Sequence, residues 1–269
     1  MPSTFDFTTS SSSQTAVDFL AKKTGLSKAR IKDAMNKGAC WWTLKGKQLR
    51  LRRASKALAA GTRIQLYYDE QVLARTPDAG QLMLDQGRYS IWYKPHGMLA
   101  QGSQWGDHCS LLRWVELELK RDCFLIHRLD ADAAGLMMIA HDSKAAALLS
   151  QLFQSRDLKK YYLARVNGKL TAKELRINQA LDGKESISIV NSLSFNQERA
   201  STLVEVLIET GRKHQIRRHL SGIGHAIIGD RLYGKTSNIP LQLLAHKLEF
   251  TCPISKKLIE LKLPQDLHL

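Results

Sequence analysis

Cysteine is scarce in this sequence, and what there is lies scattered. The four cysteines, Cys40, Cys109, Cys123 and Cys252, form no C-x-x-C pair. A chain of 269 residues can bury enough apolar surface to fold without disulfides, so they read as free thiols of a reducing compartment. His127, His214, His219 and His225 do not fall at the usual zinc spacings, and no metal site is expected. No apolar run is long enough to span a bilayer. The first residues lack a basic segment followed by an apolar one, which argues against a secretory signal. Residues 1–13, rich in Ser and Thr, read as a disordered tail, and a cytoplasmic location is the expectation. Acidic residues are also in short supply. There are 25 Asp and Glu against 40 Lys and Arg, a formal charge of +15.

A field of that sign points to a polyanionic partner, nucleic acid first and an anionic membrane surface second. No long basic amphipathic helix favours the membrane. Residues 14–70 read as a small α+β module. Ala16 to Lys23 has a helical pattern that Gly25 breaks. Ser27 is an N-cap candidate for a second helix, Lys28 to Lys37, ended by Gly38. That helix carries Lys28, Arg30, Lys32 and Lys37 beside the apolar Ile31, Ala34 and Met35. Strand-like runs follow at Ala39 to Leu44, Gln48 to Arg52 and Thr62 to Tyr68. Leu26-Ser27, Arg30-Ile31, Lys37-Gly38, Leu58 and Gly61 together resemble the S4 RNA-binding domain. That resemblance implies that the four basic residues of the second helix meet RNA. Residues 71–88, with Pro77, Gly80 and Gly87 and no clear period, read as a linker.

Residues 89–269 alternate strands with helices. The strands fall at Ser90 to Tyr93, Leu136 to Ala140, Tyr161 to Asn167 and Thr202 to Glu209. The helices fall at Ser143 to Arg156 and Lys213 to Gly222. The pattern implies an α+β domain, a mixed and mainly antiparallel sheet flanked by helices. Three segments carry chemistry. His127-Arg128-Leu129-Asp130 joins a short apolar run to a strand, a place where functional side chains are often held; alone, such an aspartate is as readily a turn-closing group. Along Lys160-Tyr161-Tyr162-Leu163, alternation turns one tyrosine away from the other. Thr210 to Arg218 concentrates Arg212, Lys213, Arg217 and Arg218, which would repel one another without a negative partner; Lys213, Arg217 and Leu220 share one helix face by spacing.

With Lys94-Pro95-x-Gly97, Gly135, Gly168, Ala200-x-Thr202 and Gly229-Asp230-x-x-Tyr233-Gly234, these segments resemble the RluA-type pseudouridine synthases. The resemblance covers roughly Tyr89 to Leu267. It implies that Asp130 is the catalytic aspartate, Tyr162 the active-site tyrosine and Arg217 the arginine paired with Asp130. It further implies that Arg128 displaces the target base, and that His127, Leu129, Arg212, His214 and Gln215 line the substrate site. No cofactor is implied. The implied partner is a structured RNA, large-subunit (23S) ribosomal RNA before transfer RNA, met by a monomer. The chain departs from the family after the aspartate, with Ala131 for a basic residue and Ala133-Ala134 where hydroxyl side chains are usual. Those alanines motivate the other reading, a catalytically weakened RNA-binding factor of ribosome assembly.

Overall fold

The computed structural model describes residues 2–10, 14–44, 46–155 and 157–269. The chain forms two units. One is Met1–Pro77 with Gln101–Trp114, and the other is Asp78–Ala100 with Val115–Leu269. The division therefore falls within the expected linker, but residues 101–114, expected in the catalytic domain, belong to the first unit.

In the first unit the elements run β1 (Ser3–Thr8), α1 (Ala16–Thr24), α2 (Lys28–Asn36), β2 (Cys40–Leu44), β3 (Lys47–Arg50), β4 (Arg63–Tyr68) and α3 (Glu70–Leu73). The strands make an antiparallel sheet in the order β1-β4-β2-β3. Both main helices start where a hydroxyl meets an orphan amide. Thr15 accepts from the Asp18 N–H and Ser27 from the Arg30 N–H, each at 3.3 Å. Gly25 ends α1 in the left-handed region at φ 75°, as its lack of a Cβ permits. Leu20, Ile31, Met35, Ile64 and Leu66 close the core beneath.

The expected disordered tail is corrected here. Ser3–Thr8 is a strand, paired along its length with β4. Phe5 and Phe7 alternate with polar residues and pack on the core, Phe7 edge-on to Phe19 at 6.1 Å. Met1 and Ser11 to Ser13, the rest of that expectation, lie outside the described residues.

The second unit contributes β5 (Gln81–Asp85) and β6 (Tyr89–Lys94). After α4 (Leu111–Leu119), whose first four residues belong to the first unit, follow β7 (Phe124–Leu125), β8 (Ala134–Ala140), α5 (Ser143–Gln154), β9 (Lys159–Asn167), β10 (Leu175–Asn178), β11 (Ile187–Asn196) and β12 (Ser201–Ile208). Then come α6 (Gln215–Gly222), β13 (Leu243–Thr251) and β14 (Leu258–Lys262). The sheet runs β10-β11-β12-β9-β13-β8-β6-β5, with β14 added to β13 and β7 to β8. Every pairing is antiparallel except that of β13 with β8. The α+β class and the mixed, mainly antiparallel sheet are thus as the sequence implies.

Residues 71–88 are more than a linker, since they supply part of α3 and all of β5. The strand escaped reading because a bulge between Leu82 and Leu84 puts three apolar residues in a row and breaks the period of two. The expected helix from Ser143 ends at Gln154, and Arg156 lies outside the described residues. The expected helix from Lys213 starts at Gln215.

Candidate active site

The loop before β8 carries Asp130, and β8 itself is buried throughout. The close approach of β13 decides its path. A Cβ on Gly135 would stand 2.3 Å from the Ala245 carbonyl oxygen, and its φ is 120°, so only glycine fits. Ala133 and Ala134 are both buried in the cores on either side of this strand. The loop is braced from below by the segment after β6. The Gly97 N–H donates to the Ala131 carbonyl at 2.9 Å. His96 Nδ1 lies 2.7 Å from the Asp132 carbonyl oxygen. Lys94 is fully buried, and its Nζ donates to the carbonyls of Pro95, Met98 and Ala131 at 3.0, 2.8 and 3.3 Å. Burial pulls the Lys94 ammonium down to about 8, although Asp130 and Asp132 favour its charge. The loop therefore holds its shape through backbone carbonyls rather than through hydroxyl side chains in the 133–134 pair.

A cavity of about 430 Å³ opens over Asp130, lined by Arg128, Leu129, Tyr162, Arg212, Lys213, His214, Gln215 and Arg217 among others. Arg217, on the buried face of α6, donates through Nη1 to Asp130 Oδ2 at 3.3 Å. Its Nε and Nη2 donate to the two oxygens of Asp230, both at 2.8 Å. Burial opposes the guanidinium's charge, but the Asp230 and Asp130 carboxylates outweigh it and the Arg217 pKa is raised. Tyr162 projects from β9, where it sits between Val206 of β12 and Ala245 of β13. Its phenol is pushed up first by burial and then by the Asp130 charge, so it stands protonated and able to donate.

α6 begins late because the turn before it is stitched down by Gln215. The Thr210 hydroxyl and the Arg212 N–H donate to Gln215 Oε1 at 2.7 and 3.1 Å. Gln215 Nε2 donates to the Ile187 carbonyl at 2.9 Å and to the Ser188 hydroxyl at 3.1 Å. His214 is left in the left-handed region at φ 54°, with Nε2 3.7 Å from Asp130 Oδ2.

Asp130, Tyr162, Arg217, Arg128, Leu129, Arg212 and His214 thus line one cavity. Gln215 lines it too, but its amide is fully engaged by protein partners. His127 does not line it, which corrects its place among the substrate residues. Its Nε2 accepts the Met138 N–H at 2.8 Å and its ring stacks on Phe153 at 4.0 Å. Burial holds the His127 pKa down to about 3. Sequence reading assigned no role to Lys94, His96, Asp230 or Tyr233; their only signal was membership of two short Gly-containing motifs.

The cavity brings one aspartate, one tyrosine and several cations to the floor of a mixed sheet, an arrangement suited to chemistry on an anionic polymer. The fold is that of the pseudouridine synthases. Human RNA Pseudouridylate Synthase Domain Containing 1 superposes with a TM-score of 0.61 at 19% identity, over 71% of this chain and 86% of that one. Residues 88–222 match the family described as RNA pseudouridylate synthase. The dual-specificity RNA pseudouridine synthase RluA of Vibrio parahaemolyticus is 31% identical over 198 residues, 65% of this chain and 79% of that protein. The ribosomal large subunit pseudouridine synthase D of Nitrosomonas europaea is 31% identical over 218 residues, 70% of this chain and 63% of that protein. The chain spans 64%, 70% and 65% of the length of three other curated relatives. This chain belongs to the RNA pseudouridylate synthase family.

Proposed function

We propose that this protein isomerises uridine to pseudouridine in a structured RNA, with Asp130 as the catalytic carboxylate. The observation that carries the reading is the Asp130 carboxylate in a cationic cavity, with Arg217 on one oxygen and Tyr162 lining the same space. The reaction breaks the N1–C1′ bond, turns the uracil and rejoins it through C5. The C5 proton leaves and N1 gains one, so nothing is lost overall. Asp130 starts it by attacking C1′ or by removing the C2′ proton. The detached base must stay confined while it turns, which a walled cavity achieves. Arg217 supplies the counter-charge Asp130 needs in a partly dry site. Tyr162 stacks on the base and serves the late proton transfer.

The target nucleotide must first leave its stack, at a cost of about a few kcal/mol. Arg128 is exposed at the cavity rim, forms no ion pair among the described residues, and can fill the vacated space with a planar guanidinium. Leu129, Arg212 and His214 complete the substrate wall.

Large-subunit ribosomal RNA is the favoured substrate, supported by the name of the Nitrosomonas relative and by the S4-like module. In that module Lys28, Arg30 and Lys37 pair with Asp18, Glu70 and Asp33, and Lys32 makes no such pair among the described residues. Exposed pairs of this kind contribute little and can be exchanged for RNA phosphates at small cost. Transfer RNA stays the second substrate, as the Vibrio relative is named for dual specificity. Against the assembly-factor reading, Ala133 and Ala134 sit in the cores on either side of β8 and the loop is braced by other groups; Ala131, in place of a basic residue, is the departure that still favours it.

The test is Asp130→Asn on purified protein with unmodified RNA. Pseudouridine formation is expected to vanish while RNA binding persists; a variant as fast as wild type would falsify the assignment.

A further inference from the structure

Two groups face the same oxygen of Asp130. Arg217 Nη1 donates to Oδ2 at 3.3 Å, His214 Nε2 stands 3.7 Å from it, just beyond hydrogen-bond length, and no hydrogen bond to Oδ1 is formed among the described residues. For His214 to act as a donor there, its proton must sit on Nε2, and Tyr233 is placed to decide this. The Tyr233 hydroxyl lies 2.9 Å from His214 Nδ1. A phenol donating to Nδ1 leaves the neutral imidazole's one N–H on Nε2, facing the carboxylate.

The rest of Tyr233 is tied to the other donor. Its ring lies 5.4 Å from the Arg217 guanidinium carbon. Its N–H donates at 3.1 Å to Asp230 Oδ1, the carboxylate that clamps Arg217. Its carbonyl accepts from the Ser221 hydroxyl of α6 at 2.7 Å. One side chain thus touches both groups that face Asp130, and its backbone fixes the clamp behind one of them.

We propose that Tyr233 is a positioning residue that fixes His214 as the Nε2–H tautomer, so that this N–H, closing on Oδ2 of Asp130 when substrate enters, joins Arg217 there and leaves Oδ1 as the reacting oxygen. The charges around His214 agree with a neutral ring. Burial lowers its pKa; Arg217 and Lys213 lower it further, while Asp130 and Asp230 pull the other way. Without the hydroxyl, the Nδ1–H tautomer becomes competitive and turns a lone pair toward the carboxylate. Oδ2 then faces that lone pair where an N–H would close on it, and the aspartate's orientation loosens.

This inference rests on the synthase reading, but its first test does not. In ¹⁵N-histidine-labelled free protein at pH 7.5, His214 is expected to show Nε2 protonated and Nδ1 unprotonated. Tyr233→Phe keeps the ring over Arg217 and the backbone bond to Asp230, and is expected to give a mixture of tautomers. An Nδ1–H signal in the wild type, or an unchanged tautomer in the variant, overturns the proposal.

The second test is single-turnover pseudouridine formation on an unmodified 23S ribosomal RNA transcript. Loss of one orienting hydrogen bond is expected to slow Tyr233→Phe roughly tenfold with RNA affinity unchanged. In a His214→Asn background, where asparagine tolerates the left-handed backbone, Tyr233→Phe is expected to add nothing. Additive losses would mean that the hydroxyl does not act through His214. If the wild type itself modifies no RNA, the synthase reading fails while the tautomer result still stands or falls alone.

Discussion

Arg217 and Asp230 form a fully engaged, buried pair. Nε and Nη2 of the arginine meet the two carboxylate oxygens at 2.8 Å, and neither side chain is more than 3% exposed. Asp230 also accepts the N–H groups of Leu232 and Tyr233 at 2.9 and 3.1 Å. Burial pushes its carboxyl up, but Arg217 and these two amides push it further down, so it stays ionised. The guanidinium is thereby fixed in one plane, with Nη1 left over for Asp130. The bidentate geometry is what an arginine offers and a lysine does not.

Removing Asp230 leaves the buried Arg217 guanidinium with only the partly exposed Asp130 as a carboxylate partner. Asp230→Ala is expected to cost about 3 kcal/mol of stability, the low end for breaking a buried pair, and to lower activity further by freeing Arg217. Urea unfolding measures the first effect and pseudouridine assay the second. A variant that unfolds at the wild-type midpoint would show the pair to be dispensable.

Gly135→Ala should be among the most damaging single-atom additions in the second unit. The new Cβ meets the Ala245 backbone at 2.3 Å, on a residue whose φ of 120° already disfavours a side chain. β13 cannot retreat without breaking its pairing with β9. A loss of several kcal/mol, on the order of that seen for overpacking and strain combined, is expected in the thermal melt. Wild-type melting would mean that the two strands lie further apart.

Lys94→Met tests the brace under the catalytic loop. It takes one donor from three carbonyls, two of them in the segment after β6 and one, Ala131, next to Asp130. Amide exchange at Gly97 and Ala133 is expected to quicken, since their N–H groups bond within the same brace, and the rate of isomerisation to fall. Unchanged exchange at both amides would remove Lys94 from the loop's support.

His127 gives the second unit a specific sensitivity to acid. Its folded pKa of about 3 lies below the ordinary 6.5, so between these values the unfolded chain binds the extra proton. Stability therefore falls as pH drops from about 6.5 toward 3, by up to about 1.4 kcal/mol per pH unit. Protonation would also abolish the acceptor that holds the Met138 N–H. Urea midpoints from pH 7 to pH 4 should fall more steeply in wild type than in His127→Gln. Parallel slopes would show that the ring is already charged in the folded protein.

His127 also shows where sequence reading stops. It adjoins Arg128 and lies three residues before Asp130, and it went with them into the expected substrate wall. Its side chain turns inward instead, onto Phe153 and the β8 backbone, and adjacency along a chain carries no such direction. β1 was missed for a different reason. Its six residues are ordinary until β4, some 60 residues on, offers a partner edge.

By itself the sequence determined the elements whose signals are local. Ser27 caps α2, Gly25 ends α1, and the motifs around Asp130, Tyr162 and Arg217 could be set in order before any contact was known. Only the tertiary structure decided how the site is held. The bonds from Arg217 to Asp130, from Lys94 to Ala131, and from Tyr233 to His214 span 87, 37 and 19 residues. Their energies depend on distance and angle in space, and so on a sheet that must close before any of these groups can meet.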